Sequence, residues 1–380
     1  MVNIKNYKVA IIHDILLDYG GAERTLEVFL ELFPQADLYT FFVDIKKSEL
    51  SRFIPYIKKS SIFTKIQSVS KLNSLFSIAK LFSWLFFLFL DLKHYDLIIS
   101  SSHSYNSKIV SSHPHQLHMA YLYTVPRYLY GLKNVVGCVN RFPINILFFP
   151  FKLFLRKIDQ YSAQKPSVLV SDSKFIQGLV CNIYHRDSVV IYPPANIYAA
   201  KKTKNLNNGE GYYVFHSRLV KQKGPELVIK VCSKYNIKLE VIGKGYLEND
   251  LKKIAGETVH FNGWLEDDQV ERIYKNARGL IYCSQQEDFG LVPVEAMSFG
   301  VPVLAFNQGG VRESVIDGVT GLFFDNYDEK SLYSRLQVFE SIKWKKDKII
   351  KQSQQFSKEE FKKKIELLLL KKINSNEQDN

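Results

Sequence analysis

The chain has 380 residues, 46% hydrophobic and 23% charged, the composition of a folded globular protein long enough for two domains of ordinary size. Its formal net charge of +13 calls for a partner of opposite sign: nucleic acid, an anionic membrane surface or a phosphorylated ligand. Cys138, Cys181, Cys232 and Cys283 lie far apart with no C-x-x-C pair, which excludes a disulfide framework or a cysteine metal knot and predicts small buried residues in a reducing compartment.

The N-terminus, "MVNIKNYKVAIIHD", has an apolar run over 9–12 that is too short for a signal peptide, and acidic Asp14 follows at once. The chain is therefore expected to stay in the cytoplasm. In chain order, "KVAIIH" (8–13) predicts a strand, and "HDILLDYGGAER" (13–24) a turn into a helix starting near Ala22. Gly20 and Gly21 let backbone N–H groups approach an anion at that helix start. The spacing does not fit G-x-G-x-x-G, which disfavours a dinucleotide cofactor.

Residues 46–80 are basic, with Glu49 their one acid. "KLFSWLFFLFLDL" (80–92) is intensely apolar but far shorter than the roughly 20 residues of a bilayer span. Strands follow at "YDLIIS" (95–100) and "LHMAYL" (117–122). "RFPINILFFPFKLFLRKID" (141–159) then mixes Phe148, Phe149, Phe151 and Phe154 with Arg141, Lys152, Arg156 and Lys157. Both apolar stretches read either as core helices or as segments lying in a membrane interface, and the basic, aromatic character favours the interface.

Strands at "SVLVSD" (167–172) and "SVVIYP" (188–193) complete the first series, and polar "KKTKNLNNGEG" (201–211) reads as a linker. A second series comprises "YYVFHS" (212–217), "KLEVIG" (238–243), "VHFNG" (259–263), "GLIYCS" (279–284) and "VPVLAF" (301–306). Strands alternating with helices predict doubly wound parallel sheets in two Rossmann-like domains facing a central cleft. The boundaries drawn are 1–195, a linker over 196–211, a second domain over 212–345, a C-terminal helix over 346–373 able to return to the first domain, and a disordered tail over 374–380.

Chemistry concentrates in the second series. In "HSRLVKQKG" (216–224), Arg218 and Lys223 fall just past a strand, at the edge where open α/β sheets bind ligands, and suit a diphosphate. In "EDFGLVPVE" (287–295), Glu287 lies in the loop after a strand and Glu295 on the helix that follows, with Pro293 in its first turn. Carboxylates accept hydrogen bonds from vicinal hydroxyls, and amides from Phe289 through Gly290 to Leu291 favour a phosphate. That combination suits a sugar joined to a phosphorylated nucleoside. Gly309-Gly310 offers a further anion-friendly helix start.

"SRLVKQKG", "IGKGYLENDLKKIA", "FNGWLEDDQVERIYKNA" and "EDFGLVPVEAMSFGVPVLAFNQGGVRESVIDGVTGLFF" together resemble the family-four retaining glycosyltransferases of the GT-B fold. "HDILLDYGGAERTLEVFLELFPQADLYT" and "ISSSHSYNSKIV" resemble the bacterial branch that extends lipid-linked O-antigen or capsule oligosaccharides, where mannosyltransferases are common. The resemblance implies that Glu287 grips the donor sugar, Glu295 the ribose, and Arg218 and Lys223 the diphosphate, with Gly20 or Gly21 approaching it from the other domain. Trp264 and Leu265 would lie where the backbone meets the base. His103 matches a histidine of this branch. Where the branch has histidine, threonine, proline, this chain has "YTVPR", so that Tyr123, near Arg127, stands in place of a second histidine. A tyrosine there donates a hydrogen bond but takes up no proton near neutral pH.

The implied activity is transfer of a hexose, with mannose from GDP-mannose expected, to a polyprenyl-diphosphate-linked oligosaccharide with retention of configuration. Neither metal, cofactor nor nucleic acid is expected, and the protein would sit peripherally on the inner face of the plasma membrane. Two alternatives stay open: a GT-B-like nucleotide-sugar epimerase, and a non-catalytic nucleotide-sugar-binding partner subunit.

Overall fold

The computed structural model describes residues 4–61, 79–103, 106–132, 144–198 and 211–378. Two compact units divide the chain, Met1–Pro194 with Phe361–Asn380 in the first and Ala195–Glu360 in the second. Most of the expected linker, 199–210, lies outside the described residues.

The first unit is built on β1 (Val9–His13), β2 (Asp37–Thr40), β3 (Ile57–Ser60), β4 (Leu97–Ser102), β5 (Leu117–Leu122), β6 (Val168–Ser171) and β7 (Val189–Val190). These form one parallel sheet in the order β3-β2-β1-β4-β5-β6-β7. Every residue of β1, β4 and β5 is buried, because helices cover both faces and leave no side of the strand for polar residues. Alternation along β1 sends Val9 and Ile11 into a core with Leu26 and Phe29, and Ala10 and Ile12 into another with Phe87 and Leu90.

Phe361, Ile365, Leu369 and Ile373 fall at four-residue steps along the helix Lys358–Gln378, so one stripe enters the same core as Leu26 and Phe29. The Phe29 and Phe361 rings meet edge to face at 5.3 Å. Residues 361–373 thereby pack into the first unit's core.

In the second unit, β8 (Tyr212–His216), β9 (Leu239–Ile242), β10 (Val259–Gly263), β11 (Ala277–Tyr282), β12 (Val303–Phe306) and β13 (Gly321–Phe324) form a parallel sheet ordered β10-β9-β8-β11-β12-β13. Its core gathers Tyr213, Phe215, Val228, Ile229, Ile281, Leu304, Leu336 and Phe339.

Several sequence expectations need correction. β2, β3 and β13 were not legible, since "DLYT" and "IKKS" are short, and Lys58 and Lys59 of "IKKS" are exposed on an edge strand, where charge blunts unwanted pairing. The C-terminal helix is two helices, Lys346–Gln354 and Lys358–Gln378, because the Ser357 hydroxyl accepts the Glu360 N–H and starts a new one. That second helix continues to Gln378, into the expected tail. Cys232 and Cys283 are buried as expected, whereas Cys181 is exposed and Cys138 lies outside the described residues.

Candidate active site

Parallel strands carry all their following loops to one sheet edge, and ligands bind where the strand order reverses. In the second sheet that reversal falls between β8 and β11, which are neighbours. The loops leaving these strands carry Lys223 and Glu287.

The two side chains form an ion pair, and Glu287 also accepts the Ser284 hydroxyl. Both are largely buried, with side-chain exposures of 17% for Lys223 and 18% for Glu287. Burial by itself raises the Glu287 pKa, but the Lys223 ammonium and the Ser284 and Tyr282 hydroxyls overcome it and hold the carboxyl at about 2. Glu287 is thus an ionised acceptor, charge-balanced and fixed in place. Arg218, on the same loop as Lys223, is exposed and forms no ion pair among the described residues.

Close backbone approach creates this pair. Gly224 has φ +68°, and a Cβ there would lie 2.1 Å from Tyr327 Oη and 2.6 Å from Cys283 O. Gln285 N–H donates to Gln222 O at 3.0 Å, locking the loop after β8 against the loop after β11. Gly310 supports Glu287 from the other side: its N–H donates to Glu287 O at 2.9 Å, and a Cβ would meet Asp288 O at 2.2 Å. The Gly309-Gly310 pair therefore braces the Glu287 backbone, and the Gly310 amide expected for an anion is already engaged.

Gly290, at φ +88°, caps the helix Leu291–Ser298, which has Pro293 in its first turn. The Phe289 side chain is buried against Phe356, at 5.3 Å between rings. Glu295 is buried, and its charge adds to burial in raising the pKa of Tyr274, whose hydroxyl lies 3.0 Å from His216 Nδ1. Tyr274 and His216 lie within "FNGWLEDDQVERIYKNA" and "HSRLVKQKG", but nothing in either stretch signals that the two side chains meet. Trp264 stands exposed just past β10, and Leu265 is half-buried.

The first sheet reverses between β1 and β4. Asp14, just past β1, accepts the His103 N–H at 2.7 Å and the Ser107 N–H at 2.9 Å, fixing the loop after β4. The His103 ring stacks on Tyr123 at 4.6 Å, and burial lowers its pKa against the opposing charges of Glu23 and Asp14. Tyr123 is itself buried, which raises its pKa, so its hydroxyl stays protonated. The helix starts at Gly21, and the Gly20 N–H donates to the Glu23 carboxylate at 2.9 Å, so this amide too is engaged. Arg127 opens the helix Arg127–Tyr130, its Nε donating to Thr124 Oγ1 at 3.3 Å.

The two apolar stretches divide between core and surface. In 80–92 only Ser83–Leu88 is a longer helix segment, with Phe87, Leu90 and Leu92 buried but Phe82, Leu85 and Phe89 exposed, Phe89 to 76%. The helix Ile144–Ala163 exposes Phe149, Leu153, Phe154 and Lys157, with Phe151, Lys152 and Arg156 half-buried. Arg141 and the Phe148 side chain lie outside the described residues. Ring contacts between Phe82 and Phe151 at 5.5 Å and Trp84 and Phe154 at 6.2 Å join the stretches into one apolar face. Underneath, fully buried Asp159 receives Lys108 Nζ at 2.7 Å and the Tyr130 and Tyr184 hydroxyls at 2.7 and 2.9 Å. Among the described residues, no helix is long and apolar enough to cross a membrane.

Residues 197–356 match the family described as glycosyl transferases group 1. The uncharacterized glycosyltransferase MJ1607 of Methanocaldococcus jannaschii is 26% identical over 193 residues, which is 44% of this chain and 50% of that protein. The chain thus spans about half the length of that curated relative. Anabaena Alr3699/HepE, solved in complex with UDP, superposes with a TM-score of 0.67 at 17% identity, covering 96% of this chain and 100% of that one. The lipopolysaccharide outer core galactosyltransferase WaaB gives 0.68 at 16% identity, covering 96% and 99%. The chain accordingly has the two-sheet GT-B fold, and residues 197–356 of it are similar to the glycosyl transferases group 1 family.

Proposed function

We propose that this chain is a retaining, metal-independent glycosyltransferase. It would transfer a hexose, with mannose from GDP-mannose the first choice, to a polyprenyl-diphosphate-linked oligosaccharide at the inner face of the plasma membrane. The observation that carries the reading is the ionised, braced Glu287 paired with Lys223 at the strand-order reversal, with Arg218 exposed on the same edge.

In this reading Glu287 accepts hydrogen bonds from hydroxyls of the donor sugar, and Glu295 from the ribose. Arg218 and Lys223 bind the diphosphate, which gains charge as the glycosidic bond breaks. The acceptor hydroxyl attacks the anomeric carbon on the face the diphosphate leaves, and a donor phosphate oxygen takes its proton. Fixed cations and helix-start amides supply the charge stabilisation, so no metal is assigned. GDP-mannose follows from the likeness of the N-terminal motifs to the O-antigen branch. Alr3699/HepE, solved with UDP, makes uridine nucleotides the comparison to run beside it.

The joined apolar face supports the membrane assignment. Phe89, Phe149 and Phe154 are exposed beside Lys152, Arg156 and Lys157, the chemistry of a surface that enters the interface while cations meet anionic headgroups. Each buried aromatic contributes about 1.5–3 kcal/mol, enough in combination for reversible attachment.

A thermal-shift panel of nucleoside diphosphates tests donor recognition, since a saturating ligand stabilises the folded state. NMR of the product's anomeric proton then tests retention. GDP or UDP is expected to raise the melting temperature and the product to keep the donor's configuration; an inverted product would rule the mechanism out.

A further inference from the structure

Behind His103 lies a buried polar chain whose protons can be assigned one by one. Tyr123 Oη donates to Ala22 O at 3.2 Å, which uses its only proton. Ser101 Oγ, 2.9 Å away, must therefore donate to Tyr123. With that proton committed, the 2.9 Å contact between Ser101 Oγ and His13 Nδ1 requires His13 to be the donor. The other ring nitrogen, Nε2, is buried without a hydrogen-bond partner and faces Glu23 Oε1 at 3.7 Å. A bare lone pair turned toward a carboxylate between side chains this buried is repulsive. A proton between the two atoms turns that contact into an attraction.

We propose that His13 and Glu23 form a buried imidazolium–carboxylate pair that positions His103 for sugar transfer, an inference resting on the glycosyltransferase reading. In this proposal both residues act through His103. The His13 ring meets His103 edge to face at 6.1 Å, while Tyr123 stacks on His103 at 29° between planes. Asp14 holds the His103 backbone at 2.7 Å, and Glu23 also fixes the Gly20 N–H at 2.9 Å. Among the described residues, the charged and titratable groups facing His103 are Asp14 past β1, Glu23 on the first helix, His13 on β1 and Tyr123 past β5. Tyr123, standing where the related branch has a histidine, supplies the stacking surface and ends the chain on the Ala22 carbonyl.

The test begins with the wild-type full chain labelled with ¹⁵N-histidine, His13 being assigned through His13→Gln. Imidazole NMR at pH 7 is expected to show protons on both His13 nitrogens, with the Nε2 proton lost in Glu23→Gln. Kinetically, Glu23→Gln is expected to lower kcat about tenfold with less than about a twofold change in donor KM, and to add less than about twofold in a His103→Gln background. A wild-type His13 bearing a single proton overturns the pair, whatever the activity. A pair that is present but whose removal multiplies fully with His103→Gln overturns the positioning role. A chain that transfers no sugar overturns the reading beneath that role, independently of the imidazole signals.

Discussion

Lys223 and Glu287, from the loops after β8 and β11, are one ion pair at the point where the second sheet's strand order reverses. The pair presents a fixed carboxylate beside a fixed cation, which is what a sugar diphosphate needs: hydroxyl acceptors at one end and positive charge at the other. It also makes the site's chemistry part of the unit's stability. The carboxyl pKa is lowered to about 2 in the folded state, so its stabilising contribution is fully present above the ordinary value of 4.5 and is lost as pH falls toward 2. Urea midpoints measured between pH 7 and pH 3 are expected to fall in the wild type and to fall less steeply in Glu287→Gln.

Arg218 and Lys223 are expected to differ sharply when removed. Arg218 is exposed, so Arg218→Ala should change stability by less than about 0.5 kcal/mol while lowering turnover about a hundredfold. Lys223→Ala strands the largely buried Glu287 charge and should cost about 2 kcal/mol as well as turnover. Denaturant unfolding beside steady-state rates separates the two effects.

The fold was legible in the sequence where strands are long and buried on both faces. "KVAIIH" and "LHMAYL" each contain an observed strand and "YDLIIS" overlaps one that runs on to Ser102, because largely apolar runs permit little else. Edge strands such as "IKKS" carry no such signal. At the site, residue types and loop positions could be read, but pairing could not. Lys223 and Glu287 were assigned to separate parts of a donor because their contact depends on Gly224 and Gly310, which act through tertiary packing. His13 and Glu23 escaped notice for the same reason: they meet only once β1 and the first helix are packed.

Gly310 should tolerate no side chain. Its φ of −68° is ordinary, so the obstacle is the Asp288 carbonyl, which a Cβ would approach to 2.2 Å. Gly310→Ala is expected to destabilise the second unit by about 2–3 kcal/mol and to reduce donor binding through displacement of Glu287. Gly318→Ala, where nothing lies within 4 Å of the added carbon, is the comparison: it should pay only the backbone penalty of φ +70° and leave donor binding intact. Thermal melts with and without nucleotide measure both.

The Lys108–Asp159 pair beneath the exposed apolar face is fully buried, with side-chain exposures of 2% and 0%. Lys108→Met leaves Asp159 charged without its cation and should cost about 3 kcal/mol. Adding Asp159→Asn should recover part of that loss, because the uncompensated charge disappears. Chemical denaturation of the wild type, the single and the double variant provides the comparison.

In the proposed function, the edge carrying Arg218, Lys223 and Glu287 supports transfer of a sugar from a nucleoside diphosphate to a lipid-linked acceptor. Its most direct test is incubation of the full chain with radiolabelled GDP-mannose, and in parallel UDP-glucose, together with a bacterial membrane extract, followed by counting label in the organic-extractable lipid fraction. Label is expected in the lipid fraction with one donor, reduced at least about a hundredfold by Glu287→Gln. Epimerised free donor, or lipid labelling that survives Glu287→Gln undiminished, would contradict it.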